Sequence, residues 1–167
     1  MPELHPDLLL ARESIYDPCG YSCSPPKAEK ESSDYGATSF TLNNRTVLFR
    51  AAHITPTKTG QFVTLWKRNS AGITEPHHES DALDLVVISV RKGLLLGQFV
   101  FPKAALIQNG ILSTAKKEGK RGFRVYPPWD SAENKQAQKT QAWQLQFFLE
   151  IKADGALDAE RVKLLYP

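Results

Sequence analysis

Asp84 and Lys103 are the residues whose types and positions come nearest to a catalytic pair. Asp84 heads the apolar run Leu85–Val90, and the chain reverses near Lys92-Gly93. Pairing across that hairpin sets 84 beside 101–103. A carboxylate on one strand and a lysine on its neighbour can hold Mg²⁺ and position the water that attacks a phosphodiester. Such a centre wants a second acid two residues before the lysine. Here the triplet is Phe101-Pro102-Lys103, and a phenyl ring cannot ligate a metal. Gln98 stands five residues before Lys103, and Glu31 is a further contact only if the fold brings it in. Two readings stay open. In one, Asp84 is a Mg²⁺ ligand and Lys103 orients water. In the other, the two residues cap or pair structurally, the metal site is degenerate and no metal or other cofactor is held.

A second kind of chemistry lies in the basic stretches, which are interleaved with aromatic residues. One holds Arg50, Lys58, Trp66, Lys67 and Arg68. The other holds Lys120, Arg121, Arg124 and Tyr126, with Trp129 just beyond. Lysine and arginine attract phosphate through counterion release, and exposed aromatic rings stack on bases. Net charge is only +3 over 167 residues, but its distribution is uneven. Residues 1–44 are net −4, 45–68 net +5, 69–84 net −4, 85–149 net +7 and 150–167 net −1. A basic body between acidic segments suits an anionic partner, provided the basic groups share a face.

Other chemistries lack their marks. The chain has no phosphate-binding G-x-x-x-x-G-K-[ST], no G-x-G-x-x-G after a strand, no H-E-x-x-H and no G-x-S-x-G. Cys19 and Cys23 are two thiols, too few to close a tetrahedral zinc site, and are expected to be free in a reducing compartment. His77-His78 sits among Glu75, Glu79 and Asp81 with no periodic scaffold, and reads as part of a solvated acidic loop. No apolar run approaches the ~20 residues of a membrane span. The first residues carry no positive charge ahead of Leu8-Leu9-Leu10, so no secretory signal is expected and the expected location is the cytoplasm.

The elements that must position these residues follow from periodicity. Pro6–Tyr16 reads as a helix and residues 17–34 as a loop. Strands are predicted over Ala37–Leu42, Thr46–Ala52, Gln61–Trp66, Leu83–Val90, Leu94–Phe101 and Phe123–Tyr126, with a short helix over Pro102–Gln108. Asn134–Glu150 reads as a long C-terminal helix with Thr140, Trp143, Phe147 and Ile151 on its buried stripe. The predicted fold class is α+β: a central mixed, mostly antiparallel sheet flanked by an N-terminal and a long C-terminal helix. One domain is expected over 1–167, with a helix-plus-loop extension over 1–34, a core over 35–151 and a tail over 152–167.

Longer stretches are similar to a known family. Tyr35–Phe40 with Leu42-Asn43, Phe49–Arg68, Gly97–Lys103, Glu118–Trp129, Gln136-Ala137, Lys139–Gln141 and Trp143-Gln144 resemble the MepB family. The resemblance runs from about residue 19 to about residue 151. It implies an α/β or α+β fold akin to nucleic-acid-processing enzymes and a nucleic-acid-binding activity on DNA or RNA, while the layout of Asp84 and Lys103 is that of a restriction-endonuclease-like core. The chain departs from the resemblance at His53, where lysine is expected. Imidazole would make a phosphate contact there pH dependent. The leading expectation is a nucleic-acid-binding protein with a nuclease-like core. Phosphate would fall to Arg50, Lys58, Lys67, Arg68, Lys103, Lys120, Arg121 and Arg124, and stacking to Trp66, Tyr126 and Trp129. The alternatives are an active Mg²⁺-dependent nuclease, and a module of a stress or drug-resistance operon that binds a small anion or an acidic protein. No membrane partner is expected.

Overall fold

Alternation of buried and exposed residues from Thr38 onward builds the centre of the molecule. The computed structural model describes residues 4–167. β2 (Thr38–Leu42) and β3 (Arg45–Ala51) form an antiparallel hairpin preceded by the short β1 (Lys27–Ala28). Its two-residue turn is Asn43-Asn44, with φ of +49° and +66°. Asparagine tolerates that left-handed conformation, which matches the twist of the strands. β8 (Leu85–Lys92) then lies parallel to β3, and β9 (Leu95–Pro102) returns antiparallel through Gly93-Leu94. The six-stranded sheet has the order β1-β2-β3-β8-β9-β11, where β11 is Phe148–Glu150, and is mixed, with one parallel pairing. The α+β class and the mixed sheet predicted from the sequence are what the chain adopts.

β8 explains why the sheet is covered on both sides. Its first six residues are all buried, as a continuous apolar run predicts for a central strand. Successive side chains point to opposite faces. Leu85 and Val87 join Phe40, Val47 and Phe49 beneath α1 (Pro6–Ala11), whose helix continues as a π-turn over Arg12–Tyr16. Val86, Ile88 and Val90 join Phe99, Phe101 and, from α2 (Lys103–Gln108), Leu106 on the other side. There they meet Val63, Phe123 and Val125 of a second, three-stranded sheet, β10-β5-β4. Its strands are β4 (His53–Ile54), β5 (Gln61–Thr64) and β10 (Gly122–Val125). A two-stranded ribbon of β6 (Trp66–Arg68) and β7 (Thr74–Pro76) extends it. Thus the 33-residue span between β3 and β8, where a parallel crossover commonly carries a helix, carries four short strands instead.

Three expectations are corrected. The strand expected over Gln61–Trp66 breaks at Leu65, which turns inward to 1% exposure while its N–H donates to the Arg121 carbonyl. The long C-terminal helix ends early. α3 is Lys135–Leu145, and Phe148–Glu150 forms β11, antiparallel to β9. Helical spacing and strand propensity both fit Phe147–Ile151, and the unpaired edge of β9 decides for the strand. The predicted tail holds α4 (Ala159–Leu165), whose Val162 and Leu165 pack with Tyr166 against Leu8, Ile15 and Tyr16.

Gly97 marks where β11 docks, because a Cβ there would collide with the Phe148 ring and the Leu149 carbonyl. Gly97→Ala should therefore destabilise the protein by about 1–3 kcal/mol, as overpacking does. The check is the urea midpoint, read with the slope unchanged; an unmoved midpoint would mean that β11 shifts freely. Among the described residues no helix is long and apolar enough to cross a membrane.

Candidate functional site

The strand alternation that buries Gln61 and Val63 turns Phe62 and Thr64 outward, half-exposed, and Trp66 follows beyond the break. Gly122 stands opposite Thr64, and Arg124 opposite Phe62. The Phe62 ring lies across β10 because position 122 has no side chain: a Cβ there would come 2.6 Å from the ring tip. Tyr35 closes the other end of this aromatic row. It stacks on His53 at 4.3 Å and 20°, and meets Phe62 edge-on at 6.3 Å. The Arg68 guanidinium lies 5.3 Å from the Trp66 ring centre, within cation–π range. Phe62, Thr64, Trp66, Thr74, Arg121 and Gly122 line a shallow slot of about 210 Å³. The outer face of the small sheet is thus a row of rings bordered by guanidinium groups.

The phosphate candidates divide according to the partners their side chains hold. Lys58 and Lys120 are exposed and have no acidic partner among the described residues. Arg121 is exposed, reaches the Thr74 carbonyl at 3.0 Å and pairs loosely with Glu118 at 3.3 Å. Arg68 bonds Glu31 at 2.6 Å and the Gly72 carbonyl at 2.9 Å. Lys67 is compensated by Asp81 at 2.7 Å and Glu75 at 3.6 Å. Arg124 staples the loop that carries Lys58, donating to the carbonyls of Thr59 and Gly60 and to the Thr55 hydroxyl at 2.6 Å. Arg50 is 1% exposed and paired with Glu29, so the surface does not present it. Tyr126 packs at Gly60 and borders a cleft between β10 and α3. Trp129 lies elsewhere, edge-on to Phe148 at 5.9 Å, with its indole N–H buried and unpartnered.

Asp84 and Lys103 are adjacent in register, but their charged ends turn to main-chain groups. The Asp84 carboxylate accepts from the Thr46 N–H at 2.8 Å, and the Lys103 ammonium donates to the Asp81 carbonyl. The Lys103 N–H donates to the Asp84 carbonyl at 3.0 Å. Gln98 is buried and bonded to the Tyr166 hydroxyl. Among the described residues no group of three or more His, Cys, Asp or Glu side chains converges to hold a metal. Cys19 and Cys23 are free thiols, each partly buried against the first core.

A polar network lies behind the sheet face. Arg50 donates from Nε to the Thr64 carbonyl at 3.2 Å and from Nη1 to the Phe49 carbonyl at 2.9 Å, and it pairs with Glu29. His77 is not in a solvated loop. Its side chain is 12% exposed, with Nδ1 3.5 Å from Asp81 and Nε2 buried without a partner. Burial, then the Arg50 charge, pushes the His77 pKa down to about 4. Burial likewise raises the Glu29 carboxyl above its ordinary range, against the pull of Arg50. Glu29 and Arg50 tie β3 to the segment after β1 and to β5, while Asp81 and Glu75 hold Lys67 of the β6–β7 ribbon, with His77 between the two groups of charges. Sequence reasoning missed Phe62, Tyr35 and this network. Phe62 was recoverable from alternation along Gln61–Thr64, whereas Glu29 beside Arg50 carries no local signal.

A mixed main sheet carrying a small second sheet with an aromatic, basic outer face defines an α+β protein with one built surface. The chain belongs to the MepB-like family, whose model matches residues 29–150. It is similar to a crystal structure of MepB at 35% identity and a TM-score of 0.77, covering 87% of this chain and 97% of that one. A bacterial homing endonuclease aligns over 81% of this chain and 87% of its own, at 15% identity and a TM-score of 0.45. No curated protein matches the chain.

Proposed function

We propose that this MepB-like protein binds nucleic acid on the outer face of its small sheet and prefers single strands. The observation that carries the reading is the setting of outward rings beside exposed cations. Phe62 and Trp66 line one slot with Arg121, whose pairing with Glu118 is loose, and Lys120, exposed and without an acidic partner among the described residues, precedes Arg121 in the chain. Base stacking on such rings contributes about 1–3 kcal/mol per base and tolerates any sequence. Stacked bases in a duplex offer these rings no free face. The contacts of Asp84 and Lys103 support binding rather than Mg²⁺-dependent cleavage, since both charged ends are committed to main-chain partners.

The test is fluorescence anisotropy of labelled single- and double-stranded DNA and RNA at two salt concentrations. The expected result is saturable single-strand binding that weakens as salt rises. Phe62→Ala with Trp66→Ala should weaken it by at least about tenfold, the equivalent of one lost stack. Unchanged affinity in that variant would remove the sheet face from the reading, and no binding at low salt would remove the reading itself.

A further inference from the structure

We propose that the cleft between β10 and α3 holds a single nucleotide unit, its phosphate on Lys120 and its base beside Tyr126 and Trp143. The proposal deepens the nucleic-acid reading and rests on it: the unit is one nucleotide of the strand that crosses the adjoining sheet face.

Four observations support the cleft. It encloses about 300 Å³, at the lower end of small-ligand sites, so it has room for one nucleotide and none for a duplex. No acidic side chain lines it, and Lys120, exposed and without an acidic partner among the described residues, stands at its wall. Tyr126 and Trp143, both half-buried, put two aromatic side chains on its lining.

The fourth observation is the spare hydrogen bonding of its amides. Asn109 spends its Nδ2 on the Ala105 carbonyl, which leaves Oδ1 as an acceptor. Asn134 spends its Oδ1 on the Ala137 N–H, which leaves Nδ2 as a donor. Both residues line the cleft. A base edge presents acceptors and donors together, and a wall with one of each is suited to read it. Gln144, by contrast, is used up: it accepts from the Tyr126 N–H at 2.8 Å and donates to the Arg124 carbonyl at 2.9 Å, and so fixes the cleft floor.

Position links the cleft to the proposed binding face. Arg121 and Gly122 border the slot beside Phe62 and Trp66, while Lys120 and Phe123 border the cleft. Four consecutive residues therefore serve both sites, at about 3.3 Å per residue of strand. A chain that stacks on Phe62 and passes over Gly122 reaches the cleft within about a nucleotide.

The probes are adenosine 5′-monophosphate, adenosine, inorganic phosphate and a single-stranded DNA 12-mer. The readouts are the Trp143 indole resonance by NMR and anisotropy of the 12-mer. In the wild type the monophosphate should shift the Trp143 resonance saturably, with adenosine and phosphate each weaker. Thr140→Phe fills the cleft; it should abolish that shift and weaken the 12-mer about tenfold. Lys120→Ala, at an exposed position that folding does not need, should weaken the monophosphate several-fold and adenosine hardly at all. An indole shift that persists in both variants, or 12-mer affinity equal to wild type in both, overturns the proposal. If the wild type binds no 12-mer yet shows the variant-sensitive monophosphate shift, the nucleic-acid reading falls and the cleft stands as a site for a free nucleotide.

Discussion

Arg50→Met should lower the stability of the protein by about 3–5 kcal/mol, the usual cost of removing one partner of a buried ion pair. The Arg50 side chain is 1% exposed and the Glu29 oxygen that faces it is buried, so water is poorly placed to take the lost partner's role. Methionine keeps most of the volume and loses the charge. It also leaves the Thr64 and Phe49 carbonyls without the donors they have now. Glu29→Gln on the same background removes the stranded charge and should recover a large part of the loss. Chemical denaturation of the two variants and the wild type measures the difference, and a neutral Arg50→Met would show that the pair contributes nothing to holding β3 and β5 together. Because Arg50 holds the Thr64 carbonyl of β5, beside the slot lined by Phe62 and Thr64, the single variant should also weaken nucleic-acid binding without touching an exposed cation.

Acid should weaken the fold through His77. In the folded protein its pKa is pushed down to about 4, first by burial and then by the charge on Arg50; in the unfolded chain it returns near 6.5. The folded state therefore refuses a proton that the unfolded state accepts. The stability linked to His77 is fully present above pH 6.5 and is lost as pH falls toward 4. The loss is about 3 kcal/mol, from roughly 2.5 pH units at 1.36 kcal/mol each. Glu29 works the other way, because its raised carboxyl takes up a proton first in the folded state. Comparing His77→Phe with the wild type isolates the histidine. Urea midpoints at pH 7 and pH 4.5 should fall less in the variant than in the wild type, and equal falls would show that His77 is not the acid-sensitive group.

Much of the architecture was legible because it rests on local chemistry. The Leu85–Val90 run reads as a central strand because both of its faces are buried, and it is one. Asn43-Asn44 reads as a turn because few other residues accept positive φ, and both take it. Phe148–Glu150 was read as helix because its partner, the edge at Gly97–Phe99, lies about fifty residues away and leaves no mark on local periodicity. The site divided along the same line. Trp66, Arg68 and Arg121 were legible as rings and cations in loops and strand ends. Arg50 was not, since an arginine in a strand reads alike whether it faces solvent or a buried glutamate. His77 misleads for a similar reason: an acidic neighbourhood in sequence resembles a solvated loop until the fold closes over it.

The contact between the two ends of the chain bears on how the protein is made. The Tyr16 hydroxyl lies 3.0 Å from that of Tyr166, and the Tyr21 hydroxyl donates to the Tyr166 carbonyl at 2.8 Å. Tyr16 leaves the ribosome 150 residues before Tyr166, which with Val162 and Leu165 completes the cover of α1. Phe40, Val47 and Phe49 can meet Leu8, Ile15 and Tyr16 earlier, but the first core stays open on its Tyr166 side until that segment appears. Vectorial folding therefore cannot close this core, and meanwhile the nascent chain offers a partly bare apolar helix to whatever holds unfinished chains.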